Sequence, residues 1–226
     1  MIVIKTYPKI KTLFALERIE GTKKWGCVNG KILPETAPLH FFPIEDLIIT
    51  EKIDGTNMGI QLHEGEVINS LRRNGGLCER ENPSDKFYIE MEDQLRDILL
   101  KSKDYPALES VTFFGELCGP KIQTGENYFF KRRFLCFDIY DNIKKCFFRW
   151  SAVEHFCNEL GIETVPLVEY PYSDFGIDNI KKYLFDMRSV FNPGYHAEGI
   201  VIRHKDDIHP IRRYMAKIRR SDFRFD

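Results

Sequence analysis

Leu47-Ile48-Ile49-Thr50-Glu51-Lys52-Ile53-Asp54-Gly55-Thr56-Asn57 runs from an isoleucine-rich segment into a polar turn. The β-branched residues favour a strand over Leu47–Lys52, and Asp54-Gly55 marks the turn that follows it. A lysine at such a strand end sets one amine beside several polar groups. An amine is a nucleophile only when deprotonated, and desolvation or neighbouring positive charge favours that form. Alone, K-x-D-G is a common surface-hairpin pattern, so the meaning of Lys52 depends on the rest of the chain.

Downstream, Asn57–His63 and Val67–Leu71 read as strands joined by the hairpin signal Glu64-Gly65. Val111–Glu116 and Phe134–Tyr140 read as buried strands, and Lys145–Arg149 is expected to pair back on the latter through Asp141-Asn142. Gly199–Arg203 and Tyr214–Arg219 complete the strand set. Asn82-Pro83-Ser84-Asp85 caps an amphipathic helix from Lys86 to Lys101, with Phe87, Met91, Leu95, Ile98 and Leu99 on one face. Ser151 caps Ala152–Leu160, Gly161 ends it, and Asp178 caps Asn179–Arg188. The fold class expected is α+β, antiparallel β-sheets flanked by helices. Neither a dinucleotide-binding glycine fingerprint nor a P-loop is present.

Four further segments carry charge at strand ends or faces. Phe114-Gly115-Glu116-Leu117-Cys118-Gly119-Pro120 puts a carboxylate at the end of an apolar strand, before glycines. Phe137 and Asp138 are adjacent in a strand and so face opposite sides. Glu198 opens the strand Gly199–Arg203, and Lys217 and Arg219 stand at period two on one strand face.

In that order, K-x-D-G, G-E-L, F-D-I, E-G-x-V and a basic pair resemble the covalent nucleotidyltransferases: DNA ligases, RNA ligases and capping enzymes. The wording Glu51-Lys52-Ile53-Asp54-Gly55-Thr56-Asn57 and Phe-Gly-Glu-Leu-Cys-Gly-Pro is most similar to the RNA ligase 2 family, over Leu47 to Phe225. The resemblance implies a nucleotidyltransferase (adenylation) domain with an ATP-grasp-like ligase core. It implies that Lys52 attacks the α-phosphate of ATP and carries AMP as a phosphoramide. Glu51 and Asn57 would contact the nucleotide, and Arg73 (Arg72 in the alternative register) would serve nucleotide and polynucleotide phosphate. Glu116 would take the ribose hydroxyls, Phe137 would stack on adenine, and Val201 would pack on its other face. Glu198 would hold Mg²⁺ or Mn²⁺, while Lys217 and Arg219 neutralise the α-phosphate. Where this chain has Arg219 the family usually has a lysine, which keeps the charge and changes the hydrogen-bond geometry.

The expected organisation is a single adenylation domain over residues 1–226, of which 1–46 form an N-terminal extension, without a C-terminal OB-fold or accessory domain. The implied activity is ATP-dependent RNA ligation of 5′-phosphate and 3′-hydroxyl ends, on RNA as a nicked duplex, a DNA/RNA hybrid or single strands. An accessory protein would replace the absent C-terminal surface. The alternatives are a minimal DNA ligase, a GTP-dependent capping guanylyltransferase, and a catalytically dead nucleic-acid-binding module. The last is disfavoured because Lys52, Glu116 and Glu198 are all retained.

Composition is compatible with this. Apolar residues at 43% and aromatics at 13% describe a globular chain. No apolar run is long enough to span a bilayer, and Met1–Ile10 lacks an export signal, so no membrane partner is expected. Six scattered cysteines and the pair His204/His209 make no zinc motif, and point to reduced thiols in a cytoplasmic compartment. Net charge is −1, yet Arg203–Asp226 holds eight Lys/Arg against four acids, and Lys131-Arg132-Arg133 forms a second basic knot.

Overall fold

In chain order the strands are β1 (Glu17–Arg18), β2 (Trp25–Gly26), β3 (Leu47–Lys52), β4 (Thr56–His63), β5 (Glu66–Leu71), β6 (Ser110–Cys118), β7 (Arg133–Asp141), β8 (Cys146–Phe147), β9 (Gly199–His204) and β10 (Met215–Arg219). The α-helices are α1 (Lys86–Leu100), α2 (Trp150–Leu160) and α3 (Ile177–Asp186). The structure, a computed structural model, describes residues 6–20, 25–27, 29–125, 128–209 and 213–223. Arg212 and Arg224 of the basic C-terminal segment, and the first five residues of the export reading, lie outside the described residues. The chain divides into two compact units: Met1–Pro8 with Asp54–Val165 and Ile208–Ile211, and Lys9–Ile53 with Pro166–Asp207 and Arg212–Asp226. The division falls between Ile53 and Asp54, inside the K-x-D-G motif.

The first unit is built on an antiparallel sheet in the order β5-β4-β6-β7-β8. Its central strands bury Met58, Ile60, Leu62, Val111, Phe113 and Leu117 completely, as expected of apolar strands covered by helices. Helix α1 packs beside β5 through Met91, Leu95 and Leu99, and α2 lies on β7 through Val153, Cys157 and Leu160. The α1 stripe also buries Glu92, an acid the apolar periodicity does not reveal. Glu92 is satisfied by Ser70 Oγ at 2.7 Å, by Arg80 at 3.0 Å and by Arg96.

Helix boundaries depart slightly from the sequence reading. The α2 cap position is Arg149 in an extended conformation, so Ser151 lies inside the first turn. Helix α3 starts from Gly176, which leaves Asp178 in its first turn, and stops at Asp186 instead of Arg188. The strand expected over Lys145–Arg149 shortens to Cys146–Phe147.

In the second unit β10, β9 and β3 form an antiparallel sheet. Register puts Leu47, Ile49, Ile200, Ile202, Ala216 and Ile218 on one face, and all six belong to a single buried cluster with Leu13, Phe14, Leu39, Ile180 and Leu184. Burying each of the larger side chains contributes about 1.5–3 kcal/mol. Residues of the N-terminal extension are thus part of this core. They also close an edge, since Leu13 N–H donates to Lys217 O at 3.1 Å and Lys217 N–H donates to Lys11 O at 2.9 Å. Among the described residues no helix is long and apolar enough to cross a membrane.

Two stability predictions follow from these contacts. A Cβ on Gly199 would stand 2.0 Å from Ile218 O, so Gly199→Ala must push β9 and β10 apart. It is expected to cost on the order of 3 kcal/mol, read as a fall in the urea midpoint at unchanged slope. The second concerns Asp85, fully buried and gripped by Arg72 through Nε at 2.6 Å and Nη2 at 2.5 Å. The Arg72 guanidinium holds the Asp85 carboxyl below the usual carboxylate range. A depressed folded value means the pair contributes fully above about pH 4 and is lost as pH falls through that lower value. Arg72→Gln should therefore be clearly less stable than wild type at pH 7, with the gap closing below about pH 4 in an acid-unfolding series.

Candidate active site

In the second unit, the sheet face opposite the apolar cluster carries the candidate site residues Lys52, Val201, Lys217 and Arg219. Lys52, Gly199 and Arg219 stand in one register row, and Thr50, Val201 and Lys217 stand in the row two residues on, hence on the same face. Lys52 Nζ donates to Glu198 Oε2 at 2.5 Å, with the two side chains 21% and 24% exposed. The pair is shielded but open to a ligand. Because the middle of the row is glycine, no side chain separates Lys52 from Arg219 along it. Arg219 is not loose: Nε and Nη2 donate to Asp222 Oδ1 at 3.0 and 2.7 Å, and its own N–H donates to Asp222 Oδ2 at 3.0 Å.

Glu51 requires a correction. Strand alternation turns it away from Lys52, onto the apolar face, where it is 1% exposed. Its Oε2 accepts the Val190 N–H at 2.8 Å, and burial pushes the carboxyl above its ordinary range. Its side chain ties the segment at Ser189–Val190 to β3, on the opposite face from the lysine.

In the first unit Asn57 on β4 and Glu116 on β6 are direct register partners, so both side chains share a sheet face. Gly55 lets the turn lie against β6, since a Cβ there would meet Leu117 O at 2.6 Å and Glu116 Cγ at 2.8 Å. Asp54 accepts the hydroxyl of Thr124, which fixes the turn from its other side. The β6–β7 ladder pairs Gly115 with Cys136 but Phe114 with Asp138, so Phe137 is the extra residue of a β-bulge. That bulge releases the Phe137 ring from the strict alternation of β7.

A residue that sequence reasoning missed supports this ring. Tyr7 meets Phe137 edge-on at 4.9 Å between centroids, and its hydroxyl donates to Asp138 Oδ2 at 2.6 Å. The adjacent Thr6 hydroxyl donates to Asn74 O at 3.3 Å, in the loop that carries Arg73. No local pattern could have found Tyr7, because its partners lie 131 residues away.

The two arginine registers are also separated. Arg72 is committed to Asp85, whereas Arg73 is exposed and makes no ion pair with a described residue. The basic C-terminal segment is less free than its charge count suggests. Lys205 pairs with Asp46, Arg213 with Asp207 and Arg219 with Asp222. The ring of His204 lies 4.4 Å from that of Phe42. Among the described residues no three His, Cys, Asp or Glu side chains gather as a metal cage. One carboxylate, Glu198, is the donor placed beside Lys52.

Comparison with known proteins supplies the frame for these features. Solved structures of Naegleria gruberi RNA ligase match this chain. A variant with AMP and Mn superposes with a TM-score of 0.66 at 18% identity, covering 94% of this chain and 61% of that one. A second variant, with ATP and Mn, gives 0.63 at 17% identity, covering 94% and 62%. The same ligase with PPi gives 0.59 at 18% identity, covering 94% and 61%. At these identities the likeness is one of fold, and the chain spans about three fifths of the length of the ligase it matches. A search of curated proteins returns no match. The family model for RNA ligase matches residues 45–219, most of the chain, which contains every motif residue above; the chain belongs to the RNA ligase family.

Proposed function

We propose that the chain is an ATP-dependent RNA ligase that joins a 5′-phosphate to a 3′-hydroxyl through a lysyl-AMP on Lys52. The observation that carries this reading is the Lys52–Glu198 pair, set on one sheet face with Val201, Lys217 and Arg219. A purely structural sheet does not need three cations and a carboxylate gathered at one end of a face that also carries Ile48, Val201 and Met215. Nucleotidyl transfer does, because it needs in-line positioning and neutralisation of phosphate charge more than elaborate acid–base chemistry.

In the first step the Glu198 carboxylate positions Lys52, which reacts once its ammonium proton has passed to solvent. The lone pair so freed attacks the α-phosphorus of ATP, the P–O bond to pyrophosphate breaks, and a P–N bond to AMP forms. Lys217 and Arg219 offset charge on the α-phosphate, Arg219 from the fixed geometry that Asp222 imposes. The family resemblance assigns the ribose hydroxyls to Glu116, a nucleotide contact to Asn57, and adenine contacts to Phe137 and Val201. Arg73 binds phosphate, since Arg72 is committed elsewhere. AMP then passes to the RNA 5′-phosphate, and the 3′-hydroxyl attacks that phosphorus with AMP leaving.

A divalent cation fits this donor set: Mg²⁺ or Mn²⁺ needs few protein carboxylates when substrate phosphates supply oxygens, and Glu198 offers one. Bound there, it would neutralise phosphate charge and draw Glu198 off the lysine. The RNA class of substrate follows the family. A reducing, intracellular location is proposed with it, supported by six free thiols, three of them buried.

The test is incubation with α-labelled ATP and Mg²⁺, followed by denaturing electrophoresis. Wild type should retain covalent label and Lys52→Ala none; label persisting in Lys52→Ala would sink the mechanism. Glu198→Ala is expected to slow labelling by roughly 100-fold or more while the protein still unfolds cooperatively. Arg73→Ala should leave stability within about 0.5 kcal/mol and still impair sealing of an RNA nick; an Arg73→Ala protein that seals normally would remove Arg73 from the site.

A further inference from the structure

The loop between β6 and β7 ends in Phe129-Phe130-Lys131-Arg132-Arg133, and the structure treats these residues in opposite ways. Phe129 is buried, while Phe130 is 102% exposed. Leaving a phenylalanine wholly in water forgoes about 1.5–3 kcal/mol of burial, although an apolar site lies one residue away. The cations beside it are mostly spent. Arg132 sits over the Phe87 ring at 3.7 Å, donates to Glu90 Oε2 at 2.6 Å, and donates through Nε to Pro120 O at 3.2 Å. Arg133 lies over the Phe129 ring at 4.7 Å and donates to Glu163 at 2.8 and 3.0 Å. Tyr128 and Phe129 both donate backbone N–H bonds to Gly125 O, which anchors the loop from its other end. Lys131 is exposed, with no ion pair to a described residue. The result is a segment held through Phe129, Arg132 and Arg133 that presents one aromatic ring and one ammonium.

We propose that Phe130 and Lys131 form a nucleotide-stacking subsite for an unpaired base of the RNA strand, with Lys131 on its phosphate. A π-face accepts any base, and a neighbouring cation tracks the backbone, which is how sequence-tolerant single-strand binding works. The stapling matters because a backbone already held on both sides of Phe130 loses less conformational entropy on binding than a loose loop would. One ring and one ammonium match the footprint of one nucleotide, whereas a protein interface buries about 800 Å² on each partner. The inference rests on the RNA ligase reading, since it takes RNA as the substrate, and it adds a contact remote from the adenylation chemistry.

The experiment measures equilibrium binding of a fluorescent single-stranded RNA by the full chain over a series of salt concentrations. Wild type, Phe130→Ala, Phe130→Trp and Lys131→Ala are compared, with label transfer from ATP to the wild type run alongside. Phe130→Ala should weaken binding between about fivefold and about a hundredfold. Phe130→Trp, which keeps a stacking face, should restore it, and Lys131→Ala should reduce the salt slope by about one ion. Equal affinity in wild type and Phe130→Ala, or no RNA binding by the wild type, overturns the subsite. A Phe130→Trp as weak as the alanine variant overturns it too, because the ring would then serve shape and not stacking. Loss of a protein partner or of self-association in Phe130→Ala, at unchanged RNA affinity, assigns the ring to protein docking and also overturns it. Failure of wild-type label transfer strikes the ligase reading and leaves the binding comparison to decide the subsite by itself.

Discussion

Two strands that differ in surroundings on their two faces must still hydrogen-bond at ordinary spacing, and this constraint organises the second unit. The face toward the core demands isoleucine, while the opposite face holds Lys52, Lys217 and Arg219, with Glu198, just before β9, paired to Lys52. Period-two alternation solves both demands with one backbone. The solution works only if β10 approaches β9 closely beside Lys52, and Gly199 permits that approach because it has no Cβ to strike Ile218 O. A one-residue slip of register would place the cations in the apolar cluster and the isoleucines in water. The core packing therefore fixes the register at which Lys52 meets Gly199 and Arg219.

Carboxylates show how the same charge takes different work from its surroundings. Glu51 and Glu198 both meet β3 near its end, yet one is buried against Val190 N–H and the other faces Lys52. The first has its charged form disfavoured by burial. Asp85 is as deeply buried, but a bidentate guanidinium reverses the effect and keeps it ionised. Burial alone does not make a carboxylate functional; the partner it is given decides.

The N-terminal segment belongs to both units in a physical sense. Residues 11–13 complete the edge of β10 at Lys217, and Leu13, Phe14 and Leu39 fill the apolar cluster of the second unit. Tyr7, in the first unit, supports the Phe137 bulge and its neighbour Asp138. Phe137 would otherwise be an aromatic ring at a disrupted point of the ladder, free to rotate. Held edge-on, it offers its remaining face as a surface of fixed orientation.

Although it missed β1, β2 and the short extent of β8, sequence alone determined the longer strands, the α+β class, and the order of motifs around Lys52, Glu116, Phe137, Glu198, Lys217 and Arg219. These were legible because each is written locally: a period of two, a glycine at a turn, a carboxylate at a strand end. Tertiary structure decided what no local pattern encodes. It gave Glu51 the Val190 N–H as its partner, gave Arg72 to Asp85 while leaving Arg73 exposed, and spent Arg132 and Arg133 on ion pairs with Glu90 and Glu163 beside Phe130. It also brought Tyr7 to Phe137 across more than a hundred residues. The physical reason is common to all of them. A side chain's charge, ring or hydroxyl is known from its identity, but its availability depends on which distant partner has already engaged it.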